Sequence, residues 1–86
     1  MDSAVLKDFR RRVVGRRETV REIQRGRAAE VWVARDADSA ILSEIERECR
    51  TNQIPIHHVD TMRQLGQLCG IEVGAACAAA SRETKN

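Results

Sequence analysis

The sequence predicts a three-layer α/β/α sandwich built on a mixed sheet of roughly four strands. Helical and strand patterns alternate along the chain, which is typical of a sheet with helices on both faces. Residues 31–35 are apolar at nearly every position, as in a strand that is covered on both sides. The 86 residues suffice for one small domain, which we expect to span residues 1–86 with a frayed tail from about residue 81.

The first half of the chain predicts a helix, a short strand, a second helix and a second strand, over residues 3–11, 13–14, 18–25 and 31–35. In the first helix, Val5, Leu6 and Phe9 recur at helical spacing and are expected to face the core. Gly15 ends the short strand, and Gly26 is a natural C-terminal stop for the second helix. Trp32, in the second strand, is expected to pack in the core.

The second half predicts a helix, a strand, a helix and a last strand, over residues 40–51, 54–59, 61–68 and 75–80. Asp38 or Ser39 is the expected N-cap of the first of these helices, and the Thr61–Gln64 pair has capping-box spacing at the start of the next. The alanine-rich residues 75–80 could also be helical, since alanine is the best helix former. The flanking glycines and the alternating order favour a strand.

Composition excludes several classes of protein. No apolar run has the length of a membrane span and no export signal is recognisable, so we expect a cytoplasmic protein without a membrane partner. Cys49, Cys69 and Cys77 contain no C-x-x-C pair, and the adjacent His57 and His58 lack zinc-ligand spacing. We therefore expect no metal and no cofactor. With one Trp, one Phe and no Tyr, the chain also lacks an aromatic sheet platform for reading bases.

The charge of the chain is segregated. Residues 7–27 carry a net charge of +6, whereas the chain as a whole carries only +2. A basic segment on a nearly neutral domain indicates a face that binds a polyanion. A solvated basic helix would give the same composition, and that alternative stays open at this point.

The run Gly15–Arg21 (GRRETVR) concentrates this charge at a predicted helix start. A glycine turn followed by polar residues aims free backbone N–H groups and the positive end of the helix dipole outward. Arginines bind phosphates and guanine edges, and the carboxylate of Glu18 could accept hydrogen bonds from a base edge. RNA recognition is therefore the leading hypothesis, although Glu18 could simply be an acid in the first turn of a helix.

Five sequence segments occur in a recognisable order and spacing: residues 15–20, 24–26, 31–38, 54–56, and 65–66 followed by 69–76. They resemble the kink-turn-binding ribosomal protein superfamily of the archaeal seven-Ae and eukaryotic thirty-e type, and most of all its small bacterial ribosomal-protein-like members. The resemblance covers residues 4–80, nearly the whole chain.

The resemblance implies a domain that binds RNA kink-turns, which are helices bent at a bulge next to tandem sheared G·A pairs. By motif position, the helix start would meet those pairs, and the apolar loop before the last strand would cover a flipped-out nucleotide. The implied RNA-binding residues are Gly15, Arg16, Arg17, Glu18, Thr19, Arg21, Ile71, Glu72 and Val73. The chain departs from the family pattern where Arg16 replaces a small residue and Arg17 replaces Asn or Lys.

These residue types suit the implied roles. A sheared pair leaves guanine N–H donors free, for which the Glu18 carboxylate is an acceptor, while Arg17 and Arg21 can donate to O6 and N7. The unpaired N–H groups of residues 17–19 would favour a nearby phosphate. Ile71 and Val73 could pack on an unstacked base, although they could equally be core residues.

No Ser-His-Asp set, phosphate-binding loop or pair of catalytic carboxylates is visible, so we expect no enzymatic activity. The expected partner is a structured RNA, ribosomal or other, bound by a monomer, with no role in binding DNA. Two alternatives remain: a protein-interaction adaptor without an RNA role, and a small-molecule-binding domain, which the lack of a phosphate-cradling glycine loop disfavours.

Overall fold

The structure, a computed structural model, describes residues 3–82. It contains a short 3-10 helix (Ser3–Lys7), three α-helices and four strands in the predicted alternating order. The strands are β1 (Arg12–Val14), β2 (Ala28–Ala34), β3 (Ile56–Val59) and β4 (Cys77–Ser81), and the helices are α1 (Arg16–Gln24), α2 (Ser39–Thr51) and α3 (Met62–Leu68).

The four strands form one mixed sheet in the order β1-β4-β2-β3. Strand β4 is antiparallel to both of its neighbours, whereas β2 and β3 are parallel. Strands β1, β2 and β3 therefore run in one direction, and β4 alone returns. We call the edge where β1, β2 and β3 end and β4 begins the upper edge, and the opposite edge the lower edge. All three α-helices begin at the upper edge, because each follows the end of one of these strands.

Two apolar clusters, one on each face of the sheet, make the three layers. Alternate residues of β2 point to opposite faces: Val31 and Val33 pack with side chains of α1 and α2, while Trp32 and Ala34 pack with side chains of α3 and the 3-10 helix. Both faces of β2 are thus covered, which explains its continuous apolar pattern. The predicted α/β/α sandwich and the burial of Trp32 are confirmed.

The first helix is shorter than predicted, and the prediction for Phe9 was wrong. The helix ends at Lys7, and the chain then turns, with the Arg11 N–H donating to the Asp8 carbonyl at 2.9 Å. The Asp8 side chain also accepts from the Arg10 N–H at 3.0 Å, so a local turn replaces the last helical turn. Phe9 lies in this turn and is 71% exposed, whereas Leu6 is fully buried as expected.

Strand β4 is the central returning strand, and all five of its residues are buried. Its small side chains, Cys77 to Ser81, let the helices on both faces approach the sheet closely. The alanine-rich segment is thus a strand, but it begins two residues later than predicted and includes Ser81, whose N–H donates to the Arg11 carbonyl. The chain is therefore ordered at the position where the frayed tail was expected to begin, and residues 83–86 lie outside the described residues.

The two adjacent histidines of β3 are paired with carboxylates on opposite faces of the sheet. His57 Nε2 lies 2.5 Å from Glu30 Oε2, and the His57 ring stacks on Trp32 with centroids 5.1 Å apart. His58 Nε2 lies 2.8 Å from Glu46 Oε2 on α2. Although its burial opposes the shift, the hydrogen bond with His57 lowers the pKa of Glu30. Among residues 3–82, no helix is long and apolar enough to cross a membrane.

Candidate RNA interface at the upper edge

Gly15 forms the turn between β1 and α1. Its φ of 98° and ψ of 161° belong to a region that only glycine occupies without strain. Its N–H donates to the Cys77 carbonyl at 2.8 Å, which continues the β1–β4 ladder by one bond. The sharp turn lets α1 begin at the next residue, directly beside the start of β4.

Helix α1 begins without a side-chain cap, since Gly15 has no side chain to supply one. Its first intrahelical bond runs from the Thr19 N–H to the Gly15 carbonyl at 2.9 Å. At the start of α1, the N–H groups for which residues 3–82 provide no acceptor are therefore those of residues 16–18, and not those of residues 17–19 as predicted. They supply donors and the positive end of the helix dipole to any anion at this edge.

The Arg16 guanidinium is held by Glu44 of α2 in a bidentate ion pair, with Nε and Nη2 donating at 2.6 and 2.8 Å. This hydrogen bond raises the pKa of Arg16 and lowers that of Glu44. Two of the five N–H donors of Arg16 are thus used inside the protein, and three remain for a ligand. The pair fixes the start of α1 against α2, a role that the sequence did not indicate.

Arg17, Glu18 and Arg21 lie on the exposed face of α1. Glu18 Oε2 is 3.7 Å from Arg21 Nη1, and both side chains are about half exposed, at 49% and 45%. A pair this exposed contributes little to stability, so it can be exchanged for contacts to a ligand. One carboxylate acceptor and two guanidinium groups therefore stand next to the unpaired N–H groups of the helix start.

Thr19 differs from its neighbours because its side chain is fully buried. It lies beside the Cys77 thiol, and burial of that thiol raises its pKa to about 11 while the Thr19 hydroxyl opposes the shift. The backbone N–H of Thr19 is occupied by the Gly15 carbonyl. Among the residues predicted to bind RNA, Thr19 is thus placed in the core, where it joins α1 to β4.

Residues 71–74 return along α3 toward the upper edge. The Ile71 N–H donates to the Gly66 carbonyl at 3.1 Å, and the Ala75 N–H donates to the Met62 carbonyl at 3.0 Å. Gly66 permits this close approach, because a Cβ built on it would lie 2.0 Å from the Val73 carbonyl oxygen. The loop is therefore held against α3 by its backbone.

The two apolar side chains of this loop have different surroundings. Ile71 is half-buried and packs on the α3-side core, whereas Val73 is 70% exposed. Glu72 between them is also exposed. Of the predicted pair, Val73 is the side chain presented to solvent, and Ile71 mainly secures the loop.

The structure brings both predicted halves of the site to the same edge. The loop leads through Ala75 and Ala76 into Cys77, whose carbonyl accepts the Gly15 N–H. The connection after β2 braces the same edge: Asp38 caps α2 by accepting from the Ala40 N–H at 2.8 Å, and Asp36 accepts from the Met62 N–H of α3 at 2.7 Å. These capping roles agree with the predicted strand end and helix cap.

Comparisons with known proteins agree with this architecture. Relatives include an RNA-binding protein of Caldanaerobacter subterraneus, 41% identical over 80% of this chain and 84% of its own length. An RNA-binding protein of a Geobacillus species is 43% identical over 81% of this chain and 85% of its own.

Among solved structures, a 15.5kD RNA binding protein of Giardia lamblia superposes with a TM-score of 0.84 at 22% identity, over 94% of this chain and 71% of that one. At this identity the similarity concerns the fold, which is the same mixed sheet between helices. Residues 3–86 match the ribosomal protein L7Ae/L30e/S12e/Gadd45 family, and the chain belongs to that family.

Proposed function

We propose that this protein binds RNA kink-turns, with the start of α1 at the sheared G·A pairs and residues 71–74 against the bulged nucleotide. The observation that carries the proposal is the 2.8 Å hydrogen bond from the Gly15 N–H to the Cys77 carbonyl. This bond sets the uncapped helix start beside the strand into which the loop leads. One continuous surface then offers hydrogen-bonding groups on one side and an exposed apolar side chain, Val73, on the other.

The start of α1 supplies hydrogen-bonding partners for the groups that remain unpaired in a sheared G·A pair. Guanine in such a pair has unpaired N–H donors, and the exposed Glu18 carboxylate is a suitable acceptor. Arg17 and Arg21 can donate to the O6 and N7 acceptors or to phosphates. The N–H groups of residues 16–18 and the helix dipole favour a phosphate at the same place.

The loop supplies the apolar part of the site. A nucleotide flipped out of the stack exposes its base, and Val73 is exposed and held in place by the contact of its backbone with Gly66. Recognition of an irregular RNA by its shape and a few unpaired bases is the usual mode for sequence-specific RNA binding.

The proposed mechanism is selection of the bent RNA conformer. A protein that contacts the G·A pairs and the bulged nucleotide together can do so only when the RNA is kinked, and it therefore shifts the population toward that state. The relatives with RNA-binding names support RNA as the partner. We propose that a monomer performs this function on a structured RNA, in the ribosome or elsewhere, without catalysis.

A titration at fixed salt tests the proposal. One RNA contains a kink-turn, and a matched control has the G·A pairs replaced by Watson–Crick pairs. We expect tighter binding to the first RNA, together with bending of that RNA measured by fluorescence energy transfer between its two helical arms. Equal affinity for both RNAs would contradict the proposal and favour an adaptor that binds protein partners.

A further inference from the structure

The lower edge of the sheet carries a group of exposed arginines that the proposed site at the upper edge does not use. The turn before β1, the α1–β2 connection and the end of β4 contribute them. We call this group the lower basic surface; it comprises Arg10, Arg11, Arg25, Arg27 and Arg82.

Backbone hydrogen bonds hold the three contributing segments together. The Ser81 N–H donates to the Arg11 carbonyl at 2.8 Å, and the Arg82 N–H donates to the Arg27 carbonyl at 2.7 Å. The arginines of the lower basic surface are therefore neighbours in space, although they lie up to 72 positions apart in the sequence. A positive patch of this kind attracts phosphates.

Phe9 is exposed beside these arginines. It is 71% exposed, and Val73 is the other large apolar side chain with comparable exposure among residues 3–82. The turn that carries it is ordered by Asp8, which accepts from the Arg11 N–H through its carbonyl and from the Arg10 N–H through its side chain. An aromatic ring presented by a fixed turn among arginines is a suitable surface for stacking a nucleobase.

The acidic groups in contact with these segments, Asp8 and Glu22, offset only part of the charge of the five arginines. Asp8 Oδ1 lies 3.7 Å from Arg10 Nε, and the Glu22 carboxylate is buried, where it accepts from the Ser81 hydroxyl at 2.8 Å. Arg12, in contrast, is turned inward, with its guanidinium donating to the Leu6 and Cys69 carbonyls. Arg12 is thus a structural residue and does not belong to the lower basic surface.

The length of α1 separates the lower basic surface from the proposed kink-turn site. The nine residues of this helix span about 13 Å between the two edges. Arg17, Arg21 and Arg25 recur every four residues on its exposed side and provide positive charge along the way. A single RNA chain can therefore reach both edges by following the outer face of α1.

We propose that the lower basic surface binds a single-stranded RNA segment flanking the kink-turn, with one base stacked on Phe9 and its phosphates on the arginines. The segment must be single-stranded, because a base inside a duplex has no free face for the ring. This inference rests on the proposed function, since it takes the same RNA as the ligand of both edges.

The test compares three RNAs at fixed salt. The first is a minimal kink-turn, the second is the same RNA with a single-stranded extension, and the third is the same RNA with its stem lengthened as a duplex. The single-stranded extension has about ten nucleotides, which is within the range of known single-strand sites. Extensions are placed at either end in turn. We expect one single-stranded extension to tighten binding about tenfold, the scale of one base stacked on an aromatic side chain. Phe9→Ser should abolish this gain, Phe9→Trp should retain it, and both should bind the minimal kink-turn like the wild type.

The arginines are tested by the salt dependence of binding. For the extended RNA, the double change Arg27→Gln and Arg82→Gln should reduce the slope of log K against log salt by about 1.4, the value for two single-strand phosphate contacts. Arg63→Gln removes one exposed charge at the start of α3, at the upper edge, and should leave the gain from the extension unchanged.

The two proposals fail in different ways. Suppose first that the wild type prefers the kink-turn over its G·A-disrupted control. The inference about the lower basic surface is then wrong if the single-stranded extension does not increase the affinity. It is also wrong if the duplex extension increases the affinity equally, or if Phe9→Ser retains the increase; in each of these cases the proposed function stands. If the kink-turn preference is absent while a Phe9-dependent gain is present, the proposed function is wrong and the lower basic surface is a single-strand site.

Discussion

The Arg16 guanidinium meets both carboxylate oxygens of Glu44, at 2.6 and 2.8 Å, and so ties the start of α1 to the middle of α2. The two residues are 28 positions apart in the sequence. Their contact fixes the orientation of the start of α1, from which Arg17 and Glu18 point into solvent. Arg16, for which the family resemblance implies an RNA contact, thus also holds α1 against α2.

The Arg16–Glu44 pair makes stability depend on pH in the acid range. Hydrogen bonding from Arg16 lowers the pKa of Glu44 below its ordinary value of 4.5. The pair therefore stabilises the folded state above about pH 4.5, and this contribution is lost as the pH falls through the lower, folded-state pKa. We expect the free energy of unfolding to fall more steeply below this pH in the wild type than in Glu44→Gln, as measured by urea denaturation.

Glu48→Gln provides the control for this measurement. Glu48 lies on the same helix, and no ion pair to its carboxylate is present among residues 3–82. Its replacement should leave the difference between the wild type and Glu44→Gln unchanged. Parallel pH profiles for the wild type and Glu44→Gln would show that the pair has no influence on stability.

Glu18→Ala should separate base recognition from general RNA affinity. Loss of one base contact is expected to weaken binding to a kink-turn by about 1–3 kcal/mol. The affinity for a plain duplex should hardly change, because a carboxylate makes no favourable contact with phosphates. Filter binding or calorimetry with both RNAs measures the difference, and equal losses on the two would refute a base-reading role for Glu18.

Gly15→Ala is expected to disturb the turn through the backbone alone. A Cβ at this position meets nothing within 4 Å, so no clash arises, but the φ of 98° is strained for alanine. We expect a loss of about 1–3 kcal/mol in stability, and weaker kink-turn binding even at temperatures where the variant is fully folded.

Gly26→Ala is the matched control for the turn. Gly26 also has a positive φ, 72°, with open space around it, but it lies at the lower edge, after α1. This change should reduce stability without altering the affinity for a minimal kink-turn. If both variants bind that RNA equally well, the geometry of the Gly15 turn is not needed for recognition.

The sequence was sufficient to predict the order of the helices and strands and their arrangement in three layers. The signals used, which are hydrophobic periodicity, helix caps and helix-ending glycines, are all local. The sequence was misleading at Phe9. The spacing between Val5 and Phe9 is helical, but the side chain of Asp8 accepts a hydrogen bond from the Arg10 N–H and forms a turn instead. It also missed the first residues of β2, because Glu30 interrupts the apolar pattern. The Glu30 carboxylate can be buried because it is hydrogen-bonded to His57, which lies 27 positions away in the sequence.

The same limit applies to the candidate site. The run from Gly15 to Arg21 could be identified from the sequence because glycine, charge and helix start are adjacent there. The burial of Thr19 against Cys77 and the pairing of Arg16 with Glu44 join residues that are distant in sequence. No pattern within a window of ten or twenty residues carries such information, so the role of individual side chains needed the structure.

Val73 and Ile71 should respond differently to truncation. Val73→Ser removes a side chain that is 70% exposed, so stability should hardly change while kink-turn affinity falls. Ile71→Ala removes half-buried contacts with the core and should cost about 1–2 kcal/mol in stability, less than at a fully buried position. Thermal denaturation and RNA titration of both variants separate the two roles. A large loss of stability in Val73→Ser would contradict the proposal that Val73 faces the RNA.

Gly66→Ala tests whether the loop must lie against α3. The added Cβ would come within 2.0 Å of the Val73 carbonyl oxygen, so the backbone of the loop has to move. Helix propensity alone favours alanine over glycine by about 1 kcal/mol, and a stabilised variant would therefore mean that the loop moves away at no cost. We expect the opposite, a net loss of stability, because the loop is bonded to α3 at both of its ends, through Ile71 and Ala75. Kink-turn affinity should fall with it, since Val73 is displaced, whereas binding to a plain duplex should be retained.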